Sequence, residues 1–158
     1  MPSAPPFMAE LILRRPTMHL RWLGLSVDDP DAGRRVRTFA ALTLAGWGLG
    51  GLLDSVQLCA SELLGNCVKH ARLYGRWQVG VALRAWPAWL VLEVSDDDPR
   101  PPVLPTPDVE DDPEALLATR RRGLGIVREL ADDVWWQPRE SGGKTVLARF
   151  ATGKRWSR

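Results

Sequence analysis

Glu62-Leu63-Leu64-Gly65-Asn66-Cys67-Val68-Lys69-His70-Ala71 is the stretch whose reading decides the fold. Wound at 3.6 residues per turn, it separates into two faces. Ala60, Leu63, Leu64, Cys67, Val68 and Ala71 gather on one side. Glu62, Asn66 and His70 follow one another at i, i+4 and i+8 on the other. An acid, an amide and an imidazole are thereby stacked one turn apart above whatever the apolar side covers. A solvated helix face looks the same, so the meaning of the stripe depends on the rest of the chain.

Working outward, Asp54-Ser55 opens this helix, which is expected to run to about Ala71. Before it, Met18 to Val27 interleaves His19, Arg21 and Gly24 with Leu20, Trp22, Leu23, Leu25 and Val27, the pattern of a first strand at an edge. Asp28-Asp29-Pro30-Asp31 then starts a helix with an acid at its cap and Pro in its first turn. Val36, Phe39, Ala40, Thr43, Leu44 and Trp47 are its apolar stripe, and Gly46, Gly48, Gly50 and Gly51 end it. After the opening stretch, Trp77, Val79, Val81, Leu83 and Ala85 alternate with polar or small residues. Leu90, Leu92 and Val94 do the same beyond the turn Trp86-Pro87-Ala88-Trp89, which makes an antiparallel hairpin.

Asp96-Asp97-Asp98 follows the second hairpin strand and leads into a proline- and acid-rich stretch ending at Arg120-Arg121-Arg122. A connection this long inside a compact domain is expected to be functional or disordered, and residues 99–122 are read as a lid. Gly123-Leu124-Gly125 then begins a helix whose stripe is Ile126, Val127, Leu130 and Ala131. Free backbone N–H groups at such a start favour an anion. Val134–Gln137 and Thr145–Phe150 are short strands joined through the turn Ser141-Gly142-Gly143-Lys144. The order β, α, α, β, β, lid, α, β, β predicts an α/β two-layer sandwich, with one mixed, mostly antiparallel sheet and helices on one face. The compact domain is expected to span residues 18–150, flanked by a flexible tail (1–17) and a basic tail (151–158).

A composition of 45% hydrophobic and 25% charged residues is that of a soluble globular protein. No apolar run is long enough for a membrane span, and the first residues lack the features of a signal peptide, so a cytoplasmic location is expected. A net charge of +2 without aromatic–basic interleaving argues against nucleic acid. Cys59 and Cys67 share one helix, roughly 12 Å apart at about 1.5 Å per residue, which is too far for a disulfide. With the two histidines they match no zinc pattern, and both are read as small buried apolar residues.

Three pieces that are weak alone then acquire one interpretation. Glu62-Leu63-Leu64-x-Asn66-x-x-x-His70-Ala71 resembles the N box of the gyrase/Hsp90/histidine-kinase/MutL ATPase superfamily. Asp96 after a strand, then Pro99, resembles its first glycine box. Arg122-Gly123-Leu124-Gly125-Ile126-Val127 resembles its second, and Gly142-Gly143-Lys144-Thr145-Val146 its closing strand motif. Among its members, the chain is most similar to stand-alone anti-sigma-factor serine/threonine kinases and related bacterial regulators. Asp98 and Arg121 depart from the pattern, standing where glycines are usual.

The resemblance implies a Bergerat-type ATP-binding fold and ATP with Mg²⁺ as cofactors. Asn66 would be the Mg²⁺ ligand, which is sufficient because Mg²⁺ takes few protein ligands and keeps its waters. Glu62 would be the general base for the hydroxyl of a partner's Ser or Thr. Asp96 would accept from the adenine amine with help from Thr145. Gly123, Leu124 and Gly125 would let the backbone approach the phosphates, with Arg122 adding charge. His70 is read as helix-end packing. The implied partners are a sigma factor and an antagonist protein, and the implied dimerisation uses the first helix and first strand. A binding module that retains the pocket without phosphoryl transfer fits the same residues.

Overall fold

A computed structural model describes residues 19–74, 78–102 and 124–153. The expected tail 1–17, residues 103–122 of the lid and the basic tail from residue 154 lie outside the described residues. The elements in chain order are strand β1 (His19–Ser26), helix α1 (Ala32–Gly46), a short 3-10 turn (Gly50–Leu52) and helix α2 (Leu53–Tyr74). The hairpin β2 (Gln78–Ala85) and β3 (Trp89–Asp96) follows, then α3 (Leu124–Leu130), β4 (Asp133–Pro138) and β5 (Lys144–Ala151). The strands form one five-stranded sheet in the order β1-β2-β3-β5-β4. Among the described residues every one of its pairings is antiparallel, in keeping with the expected mostly antiparallel sheet with helices packed on it.

Alternation along the strands decides what the helices cover. Leu25, Val79, Val81, Leu83, Leu90, Leu92, Val94, Val146, Ala148 and Phe150 share one sheet face and one core with the helices. Val36, Ala40 and Leu44 of α1 and Val56, Cys59, Ala60, Leu63, Leu64 and Cys67 of α2 complete that core. Each fully buried Leu or Val contributes roughly 1.5–3 kcal/mol relative to its exposed state. The opposite face is mixed in character. There Trp86, Val91, Trp135 and Leu147 form a second small cluster, and Arg84 Nε meets Glu93 Oε1 at 2.6 Å. Burial pushes the Glu93 carboxyl above the usual range against the pull of Arg84.

The start of α1 differs in detail from its expected cap. Asp31 stands at the N-cap without a side-chain hydrogen bond to the helix, and Pro30 precedes it. Asp29 organises the turn instead, accepting from Asp31 N at 2.8 Å and from Arg35 Nη1 at 2.7 Å. The helix ends as the glycines predict. Gly48 adopts φ +67°, and Leu49 N returns to Leu44 O at 2.8 Å. Both cysteines are free and buried, and no helix among the described residues is long and apolar enough to cross a membrane.

Candidate functional site

Helix α2 crosses the sheet near the C-terminal end of β3, and beside it opens a cavity of about 320 Å³. That volume lies at the lower end of small-molecule sites, which are roughly 300–1,000 Å³. Leu63, Asn66, Cys67, Lys69 and His70 line it from α2, with Val94 and Asp96 from β3 and Lys144 and Val146 from β5. Leu124 and the pair Pro101-Pro102 close its sides.

The floor is ionic and buried. Asp96 is the last residue of β3 and pairs with Lys144, the first of β5. Because both share the parity of the apolar positions on their strands, both point toward the helices. Lys144 Nζ donates to Asp96 Oδ1 at 3.0 Å and Oδ2 at 3.2 Å, and to the Asp98 carbonyl at 3.1 Å. Asp98 N donates to Asp96 Oδ1 at 3.0 Å, and Cys67 Sγ donates to Oδ2 at 3.3 Å. Asp96, Asp98 and Lys144 are 4%, 2% and 4% exposed.

Asp98 has its own partners. Arg100 N and Nε donate to Oδ1 at 3.1 and 2.8 Å, and Nη2 donates to Oδ2 at 2.8 Å. His70 Nδ1 stands 3.5 Å from Oδ2 and Lys144 Nζ 3.6 Å. Two buried carboxylates are thus balanced by one buried ammonium and one half-exposed guanidinium, the condition under which buried charge is tolerated. Desolvation raises the Asp98 pKa, but the hydrogen bonds from Arg100 and the Lys144 charge outweigh it and hold it at about 2. Burial, with Asp96 beside it, pushes the Cys67 thiol well above its ordinary range.

A depressed carboxyl pKa stabilises the fold above the unfolded value and loses that contribution as pH falls through the folded one. For Asp98, falling from 3.8 to about 2, the contribution is about 2 kcal/mol. The urea stability of Asp98→Asn should therefore lie below that of the parent at pH 7. The gap should close between about pH 4 and pH 2.

The residues singled out by sequence divide between those the pocket brings together and those it does not. Asn66, Asp96 and Leu124 line it. Gly125 is buried in the first turn of α3. Glu62 is half-buried one turn before Asn66 and is not among the lining residues. Arg122 and Gly123 lie outside the described residues.

Thr145 is a correction. It pairs with Ser95 and bonds that hydroxyl at 2.8 Å on the sheet face away from the helices, so it does not meet Asp96. The expectation fails because neighbouring strand residues face opposite ways, and Lys144 takes the inward position. His70 is a second correction: it lines the pocket and faces Asp98 rather than merely packing at a helix end. Cys67 is buried as expected, yet it also donates into the pocket floor.

The donors present fit a nucleotide with its metal only in a shared manner. Asn66 offers one hard oxygen, and the described residues contain no group of three His, Cys, Asp or Glu side chains able to hold a metal. Most ligands of a Mg²⁺ ion here would come from phosphate and water. Residues 27–150 match the histidine kinase-like ATPase domain, a match that carries the implication of ATP binding. A comparison with curated proteins gives no match. That span takes in α2, the Asp96 floor, α3 and nearly all of β5, and by it the chain belongs to the histidine kinase-like ATPase domain family.

Proposed function

We propose that this protein is an ATP-binding regulator of the anti-sigma-factor kinase kind, acting in the cytoplasm. It binds Mg-ATP in the pocket beside α2, sequesters a sigma factor and phosphorylates a protein antagonist. The observation that carries the reading is Asn66 in the pocket wall, one helical turn beyond Glu62 and on the same cavity as Asp96. Asn66 would hold the metal through its amide oxygen, and Leu124 and Gly125 would bring backbone close to the phosphates. When bound, Mg-ATP supplies the phosphoryl group. Glu62 would take the proton from the partner's Ser or Thr hydroxyl, and its half-buried place outside the cavity lining suits a base that must be reached by a second protein. Homodimerisation is supported by edge strand β1 and by the exposed Trp22 and Leu42, which share a groove with Phe39 and Trp47.

The test is transfer of labelled phosphate from Mg-ATP to candidate antagonists. Glu62→Ala should reduce the rate by about 100-fold or more while leaving ATP affinity near that of the parent. Equal transfer by parent and variant, or transfer by neither, removes the kinase reading.

A second reading is a non-catalytic ATP-binding interaction module. The hold of Lys144 on Asp96 and the engaged Asp98 favour it. Such a protein would bind ATP in calorimetry and transfer no phosphate.

A further inference from the structure

An ionised carboxylate offers about four lone-pair sites on its two oxygens. On Asp96 the protein itself fills them. Oδ1 accepts from Asp98 N and Lys144 Nζ, and Oδ2 accepts from Cys67 Sγ and Lys144 Nζ. The ammonium is equally committed, because its three protons face Asp96 Oδ1, Asp96 Oδ2 and the Asp98 carbonyl. Lys144 is held on the carboxylate by its place in the fold. It is 4% exposed, it begins β5 opposite Asp96 in the ladder, and the Asp98 carbonyl grips the same nitrogen.

We propose that Lys144 sets the base specificity of this pocket: its ammonium occupies the Asp96 carboxylate, so purine nucleotides are taken without selection for an exocyclic amine. The proposal rests on the reading of the pocket as a nucleotide site. An amine brought to the floor finds no acceptor on Asp96, and a ring carbonyl brought there finds no donor on Lys144. Neither purine edge is rewarded. Discrimination between a ligand that satisfies a buried polar group and one that does not is commonly tenfold or more, and here that term is absent. Shortening Lys144 to Thr returns two lone pairs of Asp96 to the cavity and restores the reward for an amine.

Calorimetric titration of the full chain with Mg-ATP and Mg-ITP, which differ in the amine at C6, tests this. Dissociation constants for the two within about threefold are expected for the parent, and an ATP preference of about tenfold or more for Lys144→Thr. Folding of each variant is checked by circular dichroism. If Lys144→Thr does not fold, Lys144→Thr/Asp98→Asn, which removes one of the two buried anions, takes its place. ATP binding gained only on loss of Lys144 overturns the proposal, because the parent would then exclude purine nucleotides rather than take them without selection. A parent preference for ATP of tenfold that disappears in Asp96→Asn overturns it and leaves the nucleotide site standing. So does a Lys144 variant as indifferent as the parent. No binding of either nucleotide by parent or folded variant overturns the proposal and the nucleotide-site reading together.

Discussion

Replacing Lys144 by Met is expected to lower the stability of the fold by about 3–5 kcal/mol at neutral pH, the usual consequence of breaking a buried ion pair from one side. Met matches the length of the stem and fills the same space, so the loss reflects charge rather than packing. Two carboxylates, 4% and 2% exposed, would lose the ammonium they share, while Asp98 would keep the Arg100 guanidinium. Urea titration reads the effect as a fall in the midpoint at unchanged slope. Adding Asp98→Asn to the variant should recover part of the loss, because the two substitutions act on one cluster and cannot be additive. The deficit should also narrow in acid, where protonation of a carboxylate removes the charge that lost its partner.

The second large effect is expected at Gly143. Its φ of +81° lies in the left-handed region, and a Cβ there would overlap the Asp96 carbonyl and stand 2.7 Å from Asp97 Cα. A left-handed non-glycine residue costs roughly 1–2 kcal/mol and forced overlap in a packed site roughly 1–3 kcal/mol. Gly143→Ala should therefore lose about 2–5 kcal/mol. Gly142, at φ +93°, has open space around it, so Gly142→Ala should show the conformational part alone. The difference between the two midpoints measures how tightly the β4–β5 turn is seated under Asp96.

Much of this architecture could be read from residue order because the periodicities are strong. The alternation of Val79, Val81 and Leu83 with Gly80 and Ala82, and of Leu90, Leu92 and Val94 with Val91 and Glu93, names the helix-facing side of both hairpin strands. The pocket was legible where one helix supplied it. Asn66 lines the cavity as its place on the polar stripe predicts, while His70, read as helix-end packing, lines it too. Their neighbour Cys67 was assigned to the apolar side alone, since a thiol that is buried and one that donates to a carboxylate look the same in a sequence.

Thr145 shows the limit more sharply. The family resemblance implied a hydroxyl at Thr145 beside Asp96, yet parity decides which side of a strand a residue occupies. Val146, Ala148 and Phe150 are inward, so Lys144 is inward and Thr145 is not. That signal was present in the sequence. The sharing of Lys144 between Asp96 and Asp98 was not, because it depends on the backbone after β3 folding back so that Asp98 N meets Asp96 Oδ1. The strand order was also hidden, since nothing in the residue pattern places β5 between β3 and β4.

The distance along the chain between Asp96 and Lys144 has a kinetic consequence. The two partners are 48 residues apart, and the strand that carries the ammonium reaches the sheet only after the intervening segment has closed its loop. Contacts of such sequence separation form late and slow the folding of antiparallel sheets. The carboxylates therefore await their counter-ion while the β2–β3 hairpin, a local structure, is already able to form. An interaction made after the rate-limiting step holds the native state shut without hastening its formation. The Lys144–Asp96 pair is therefore expected to act chiefly on unfolding, and Lys144→Met should speed unfolding more than it slows folding in stopped-flow measurements.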